Sequence, residues 1–328
     1  DSDLYRAHHD WALTLPGRDP AMGRDQLVLD FGRDEVVDYL TDVLSDLLRN
    51  HHIEYIKWDM NRNMSDVYSR ALPPERQGEV AHRYMLGVYR LLDRLTTAFP
   101  DVLFEGCAGG GGRFDAGMLA YFPQIWCSDD TDAIERLTIQ HGTSFGYPVS
   151  AMGAHVSACP NHQTGRTTPL WTRAVVAMSG TFGYELDLGK LSEEECQQVR
   201  QQIETFKKLY DVVQNGRYYR LSDPAREPRY TAWQTVTYKE SLVSLVLTHP
   251  EANARPLHIC LRGLEEDALY RVESLHLYGT TATPERSDAV TDRLLGAVYS
   301  GSTLMYAGYT LPQLAGDFPS VQLHLVRV

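Results

Sequence analysis

The sequence predicts an α/β protein: a (β/α)8 barrel of the TIM type, incomplete at its amino end, followed by a small antiparallel β-sandwich. Three observations carry that prediction. Apolar strand patterns alternate with helix-spaced patterns through about residue 215, and such alternation implies parallel strands joined by right-handed crossovers. Polar residues fall at the carboxyl ends of the strand patterns, at Asp30, Asp59, Cys107 and Asp129, the end at which barrels keep their sites. Beyond residue 216 the texture changes to short β-rich runs separated by Asn, Pro and Gly, the pattern of a sandwich. The expected division is 1–215 for the barrel portion and 216–328 for the sandwich.

The elements follow in chain order. "QLVLDF" (26–31) reads as a short buried strand. "RDEVVDYLTDVLSDLLRN" places apolar residues at 36, 37, 40, 43, 44, 47 and 48, which is helical spacing. "IEYIKWD" is the next strand, and "AHRYMLGVYRLLDRLTTAFP" a helix that Pro100 stops. "DVLFEGCAGGGG" and "FPQIWCSDD" each read as strand then loop, and "AIERLTIQHGTSFG" as helix. "SAMGAHVSA" and "GTFGYELD" are strands flanking a helical "TPLWTRAVVAMS". "LSEEECQQVRQQIETFKKLYDVV" is a helix opened by a Ser192–Glu195 capping box. "YTAWQTVTY", "SLVSLVLTH", "RPLHICLRG" and "DALYRVESLHLY" are the sandwich strands. Six parallel strands, near 27, 54, 102, 124, 152 and 182, stand against the eight of a closed barrel. They are assigned as strands 3–8, with two strands expected to be missing. A doubly wound open sheet is the rival, and the strand-end polar residues argue against it.

Composition narrows the function. The 328 residues are 43% hydrophobic and 23% charged, with a net charge of −12 and no basic cluster, so nothing points to nucleic acid or an anionic membrane surface. A neutral polar substrate fits this balance. The five cysteines (107, 127, 159, 196 and 260) form no CxxC pair, which disfavours zinc and a disulfide framework. A reducing cytoplasm is the expected location. No run approaches the roughly 18 apolar residues of a membrane span.

Three segments carry chemistry. In "IEYIKWDMNR", alternation puts Lys57, Asp59 and Asn61 on one strand face and Trp58 and Met60 on the other. Three aligned polar groups on an apolar strand are costly unless they pair or meet a ligand. One reading is a buried Lys–Asp pair that only satisfies itself. Another makes Asp59 a nucleophile or base beside Lys57, and a third makes Lys57 a Schiff-base lysine, which the adjacent carboxylate disfavours. In "WCSDDTDAIER" the carboxylates at 129, 130, 132 and 135 exceed what a helix cap needs. Asp132 suits the cap, and crowding would suit a general acid. A Ca²⁺ loop is disfavoured because the EF-hand spacing and glycine are missing. "FEGCAGGGGRFD" lacks the G-K-[ST] of a phosphate loop and shows no clear helix start. Its glycines would let backbone N–H groups approach a ligand, with Cys107 at the lip and no base to activate it. His155 and His162 read as packing or loop residues, and His8, His9, His51 and His52 as solvated surface. Two carboxylates at the ends of different strands, one supported by a cation and one crowded, form the arrangement of a glycoside hydrolase. Trp58, Trp126 and Tyr184 would suit a sugar.

With those residues in view, "YIKWDMNR", "FEGCAGGGGRFD", "SDDTDAIERLTIQHGTS", "AMGAHVSACPNHQTGRTTP" and "GTFGYELDL" resemble the α-galactosidases of glycoside hydrolase family 36. The resemblance covers essentially the whole chain. It implies a retaining hydrolase of terminal α-galactosides such as melibiose and raffinose, with no cofactor and often tetrameric. It implies Asp59 as nucleophile, Asp129 as acid/base, and Arg24, Lys57, Asn61, Cys107 and Gly110 at sugar-contacting positions. Retention requires carboxyl groups roughly 5–5.5 Å apart, against about 6.5–9.5 Å for inversion. The family's amino-terminal β-domain and first two barrel strands, with a paired-aspartate motif and a tryptophan, have no counterpart in this chain, and Cys127 departs from the family pattern. Four alternatives stay open. These are a raffinose-synthase-like galactosyl transferase, an α-N-acetylgalactosaminidase (which Cys107 and Gly110 would crowd), a sugar-binding fragment without turnover, and an aldolase using Lys57.

Overall fold

The computed structural model describes residues 2–252, 255–280 and 294–328. The chain divides into two compact units, Asp1–Trp126 and Cys127–Val328.

The first unit contains helices α1 (Asp3–Ala7), α2 (Asp34–Asn50), α3 (Val80–Ala98) and α4 (Ala116–Leu119), and strands β1 (Tyr55–Asp59), β2 (Leu103–Cys107) and β3 (Gln124–Trp126). β1 and β2 run parallel, from Tyr55 opposite Leu103 to Asp59 opposite Cys107. β2 and β3 are also parallel, with Glu105 opposite Gln124. The crossover through α3 forms because its sequence lays one apolar stripe on the sheet. Val80, Tyr84, Gly87, Val88, Leu91, Leu92 and Leu95 are all buried, repeating every three or four residues as a helix requires. They pack with Val37 and Leu48 of α2 and with Phe104, Phe122 and Ile125. Gly87 is needed here because a Cβ would lie 1.7 Å from the Phe31 carbonyl oxygen.

The strand expected over 26–31 does not form. Leu29 makes one antiparallel bridge to Ala12, supported by Leu13 N–H to Val28 O (2.9 Å) and Asp30 N–H to Trp11 O (2.7 Å). A strand needs a row of backbone partners, and this segment has only residues 11–13. Asp30 is accordingly a buried loop residue that accepts from Ser69 Oγ and from Gly32 N–H (3.0 Å).

The second unit continues the βα pattern with α5 (Ala133–Thr143), β4 (Met152–Ser157), α6 (Leu170–Ala177), β5 (Thr181–Glu185) and α7 (Glu193–Asn215). β4 and β5 are parallel, from Gly153 opposite Thr181 to Ser157 opposite Glu185. The capping box at Ser192 and Glu195 is formed. The antiparallel part holds β6 (Arg217–Arg220), β7 (Tyr230–Val236), β8 (Glu240–Leu247), β9 (His258–Ile259), β10 (Leu269–Tyr278), β11 (Val298–Ser300), β12 (Tyr309–Thr310) and β13 (Ser320–Arg327). Its main sheet has the order β11-β10-β13-β8-β7-β6, and β12 pairs with β9. Tyr270, Val272, Leu304, Val321, Leu323 and Leu325 lie among its core residues. Parallel βα units followed by an antiparallel β domain are thus present, with five parallel strands among the described residues rather than six. No helix among those residues is long and apolar enough to cross a membrane.

Candidate active site

The residues singled out at the end of β1 come together as the alternation requires. Tyr55, Lys57 and Asp59 are exposed, whereas Ile56 and Trp58 are half-buried against the core. Asn61 is the hub. Its Nδ2 donates to Asp59 Oδ2, and its Oδ1 accepts the Gly109 N–H at 2.7 Å. One amide therefore fixes the Asp59 carboxylate and ties β1 to the glycine loop after β2. Lys57 Nζ lies 5.0 Å from the centroid of the Trp126 ring, a cation–π distance. It makes no ion pair with Asp59 or any other described residue, so the self-satisfying Lys–Asp pair is not the arrangement present.

The glycine loop is a tight structure. Gly109 (φ 56°) and Gly110 (φ 82°) occupy left-handed conformations that side chains disfavour. Ala108 N–H donates to Gly110 O (2.9 Å) and Gly112 N–H to Ala108 O (3.2 Å). A short helix, α4, does follow, with Asp115 capping it through Met118 N–H at 3.0 Å. The sequence reading found no helix start there because only four residues are helical.

Cys107 is buried opposite Asp59. Burial pushes its thiol up to about 11, the neighbouring Asp59 adds to the rise, and Gly110 and Lys57 pull the other way. A thiol so held is protonated at neutral pH and is not a nucleophile. Arg113, which sequence reasoning quoted without a role, fastens the strand end. Its Nη2 donates to Cys107 O at 2.8 Å, and burial lowers its pKa. Nothing in a single sequence distinguishes such an arginine from a solvated one. Arg24 is exposed on a turn between the bridged residues Gly23 and Gln26, with Arg24 (φ 52°) and Asp25 (φ 57°) both left-handed. That is the backbone of a type I′ turn, adopted here without glycine at either central position.

Asp129 belongs to the second unit, on the segment that leads into α5. Its neighbours are absorbed by structure. Asp132 caps α5 through Ile134 N–H (2.9 Å), is buried, and pairs with Arg166 and the Thr164 hydroxyl. Asp130 accepts from Asp132 N–H at 3.0 Å. Thr131 is held by Gln163 (3.1 Å), Asn161 (3.1 Å) and Ser157 (2.8 Å). Asp129 is left exposed, with no hydrogen-bond or ion-pair partner among the described residues. The cap and the candidate acid are therefore different aspartates of one run. Cys127 accepts from Arg136 Nη1 at 3.1 Å.

His155 lies on β4, 3.7 Å from Glu185, and packs on Gly183. His162 is exposed in a loop, as are His51 and His52 elsewhere, and His9 is exposed at the start of a 3-10 turn with its ring 4.5 Å from that of Tyr5. His8 is not solvated surface: its ring stacks on Trp11 at 3.9 Å.

Comparison with known proteins gives a consistent result. Residues 1–216 match the Melibiase family model, and residues 230–325 the glycosyl hydrolase family 36 C-terminal domain. The chain is 49% identical to alpha-galactosidase AgaA of Geobacillus stearothermophilus, covering 100% of this chain and 42% of the relative. It is 50% identical to the bifunctional alpha-galactosidase/sucrose kinase AgaSK of Mediterraneibacter gnavus, covering 98% of this chain and 32% of the relative. It superimposes with a TM-score of 0.90 on the crystal structure of an AgaA variant in complex with raffinose, covering 100% of this chain and 43% of that one at 48% identity. The chain thus spans less than half the length of these relatives. The whole-chain superposition bears out the expected fold class, a partial (β/α) barrel followed by a β domain.

Proposed function

The chain belongs to the melibiase family, glycoside hydrolase family 36, and from that premise we propose that it carries the catalytic carboxylates of a retaining hydrolase of terminal α-galactosides. In this reading Asp59 attacks the anomeric carbon while Asp129 protonates the departing glycosidic oxygen. Water, deprotonated by Asp129, then breaks the galactosyl–enzyme bond, so two inversions give net retention. Arg24, Lys57, Asn61, Cys107 and Gly110 contact the sugar. The reading rests most on the Asn61 latch, which aims one oxygen of Asp59 and leaves the rest of an exposed carboxylate free to react. Asp129, exposed and unpartnered among the described residues, suits a group that exchanges protons with a leaving group. Lys57 supplies a donor for sugar hydroxyls, its ammonium carried over the buried Trp126 ring.

Raffinose and related galactosyl oligosaccharides are the proposed substrates, supported by the AgaA structures in complex with raffinose and stachyose. The barrel portion is assigned to 1–215 and the sandwich to 216–328, a division supported by the two family-model matches. The test is to incubate the full-length gene product with a fluorinated α-galactosyl trapping reagent and map the labelled peptide by mass spectrometry. A label on Asp59 is expected. Hydrolysis with no trapped intermediate, or a label on another residue, overturns the assignment.

A further inference from the structure

We infer that Glu105 is a positioning residue for this reaction: its buried carboxylate holds the Lys57 ammonium off the Asp59 carboxylate, so that the lysine serves the sugar and the aspartate remains a free nucleophile. The inference rests on the roles just proposed for Lys57 and Asp59. Glu105 lies in the middle of β2 and is 0% exposed. In the parallel register it stands opposite Lys57 on one side and Gln124 on the other. Asp59 and Cys107 pair two residues further along, on the same face. Glu105 Oε2 accepts from the Tyr55 hydroxyl and from Gln124 Nε2 at 2.5 Å. Glu105 Oε1 is buried with no hydrogen-bond partner among the described residues. Burial, with Glu105 adding to it, raises the Tyr55 phenol, which therefore stays a donor.

A carboxylate in this place is costly, because two neutral donors on one oxygen do not replace the water it has lost. A glutamine could tie the same three strands with hydrogen bonds alone. What glutamate adds over glutamine is negative charge, and Lys57 is the cation opposite it in the register. Lys57 makes a direct ion pair with neither carboxylate, and its ammonium stands over Trp126 instead. One acid lies abreast of it on the neighbouring strand and the other two residues ahead on its own strand, so Glu105 draws the stem sideways, off the line that leads to Asp59. With Glu105 neutralised, the remaining pull draws Lys57 onto Asp59. That contact would remove a sugar ligand and quench the nucleophile together.

The experiment uses the full-length protein and an aryl α-galactoside. Glu105→Gln is expected to lower kcat/KM tenfold or more, with a higher KM as well as a lower kcat, and with a Tm equal to or above that of the wild type. In a Lys57→Met background the same substitution is expected to change kcat/KM less than twofold, since the group it controls is gone. Tyr55→Phe, which keeps the charge, is expected to stay within threefold of the wild type. The inference is overturned if Glu105→Gln keeps kcat/KM within twofold, or if its effect persists undiminished in Lys57→Met. A tenfold loss in Tyr55→Phe also overturns it, by making the three residues a structural strap, and that arm decides the matter should Glu105→Gln fail to fold. A wild-type protein with no α-galactosidase activity would instead defeat the functional reading. An active wild type with an equally active Glu105→Gln defeats only this one.

Discussion

β1 and β8 are both short strands of ordinary composition, and they differ in what their faces do. Every residue of β8 after Glu240 is buried, and the same holds for β7 after Tyr230. β1 alternates exposed and half-buried residues throughout, and its exposed positions are a tyrosine, a lysine and an aspartate. The antiparallel sheet spends its side chains on its own cohesion. β1 and β2 hold groups whose placement is unfavourable for cohesion: a carboxylate beside a buried thiol, an ammonium with no ion-pair partner among the described residues, and a buried glutamate with an idle oxygen. Local cost without local compensation marks a functional region, so the two regions should respond oppositely to mutation.

The sharpest break of that comparison concerns Asp59. Asp59→Asn in the full-length protein is expected to lower kcat by about 10⁴-fold or more, as removal of an essential catalytic group does, while the calorimetric Tm stays within about 2 °C. A large fall in Tm would place Asp59 with the cohesive residues instead. The converse test is Leu325→Ala, at a 0% exposed position in β13. It is expected to cost about 2–5 kcal/mol in denaturant unfolding and to leave kcat per folded molecule unchanged. A smaller loss is expected from Gly87→Ala. Alanine is the better helix former by roughly 1 kcal/mol, but its methyl group would meet the Phe31 carbonyl. Overpacking of that kind costs about 1–3 kcal/mol, and a stabilised variant would show that α3 can shift freely. The mildest test is chemical. Because the Cys107 thiol is raised to about 11, its thiolate fraction is small at pH 8 and grows only as pH climbs toward that value. Iodoacetamide at pH 8 should therefore alkylate the exposed Cys159 and Cys260 well before Cys107, as read by peptide mass spectrometry. Equal labelling would mean the end of β2 opens in solution.

Much of the architecture was legible because it is periodic. α2, α3 and α7 declare themselves through apolar stripes, and α7 through its capping box. The polar set on β1 was legible because period-two alternation is all it needs. What failed was whatever depends on a distant partner. The 26–31 segment has strand composition and lacks a row of neighbours. β6, β11 and β13 were not singled out, because β-propensity reports fit to a pleated surface that the sequence does not display. At the site, the sequence named Asp132 as the cap of α5, and its hydrogen bonds bear that out; the role expected of Asp129 came from the family resemblance and not from the spacing. The surroundings of Glu105 and Arg113 were invisible, since they consist of particular neighbours on other strands and in the loop after β2.

The order of the antiparallel sheet has a consequence for how the protein is made. Strand Ser320–Arg327 pairs with Glu240–Leu247 on one side and with Leu269–Tyr278 on the other, so the middle of the sheet is filled by a segment synthesised after both of its neighbours. Domains assemble during translation as their parts emerge, at about 5–20 residues per second. Here the ribosome must deliver this strand before the two halves of the sheet have anything to join across. Until then, Glu240–Leu247 and Leu269–Tyr278 each carry an open apolar edge for several seconds, a window in which a nascent-chain chaperone would find its natural client.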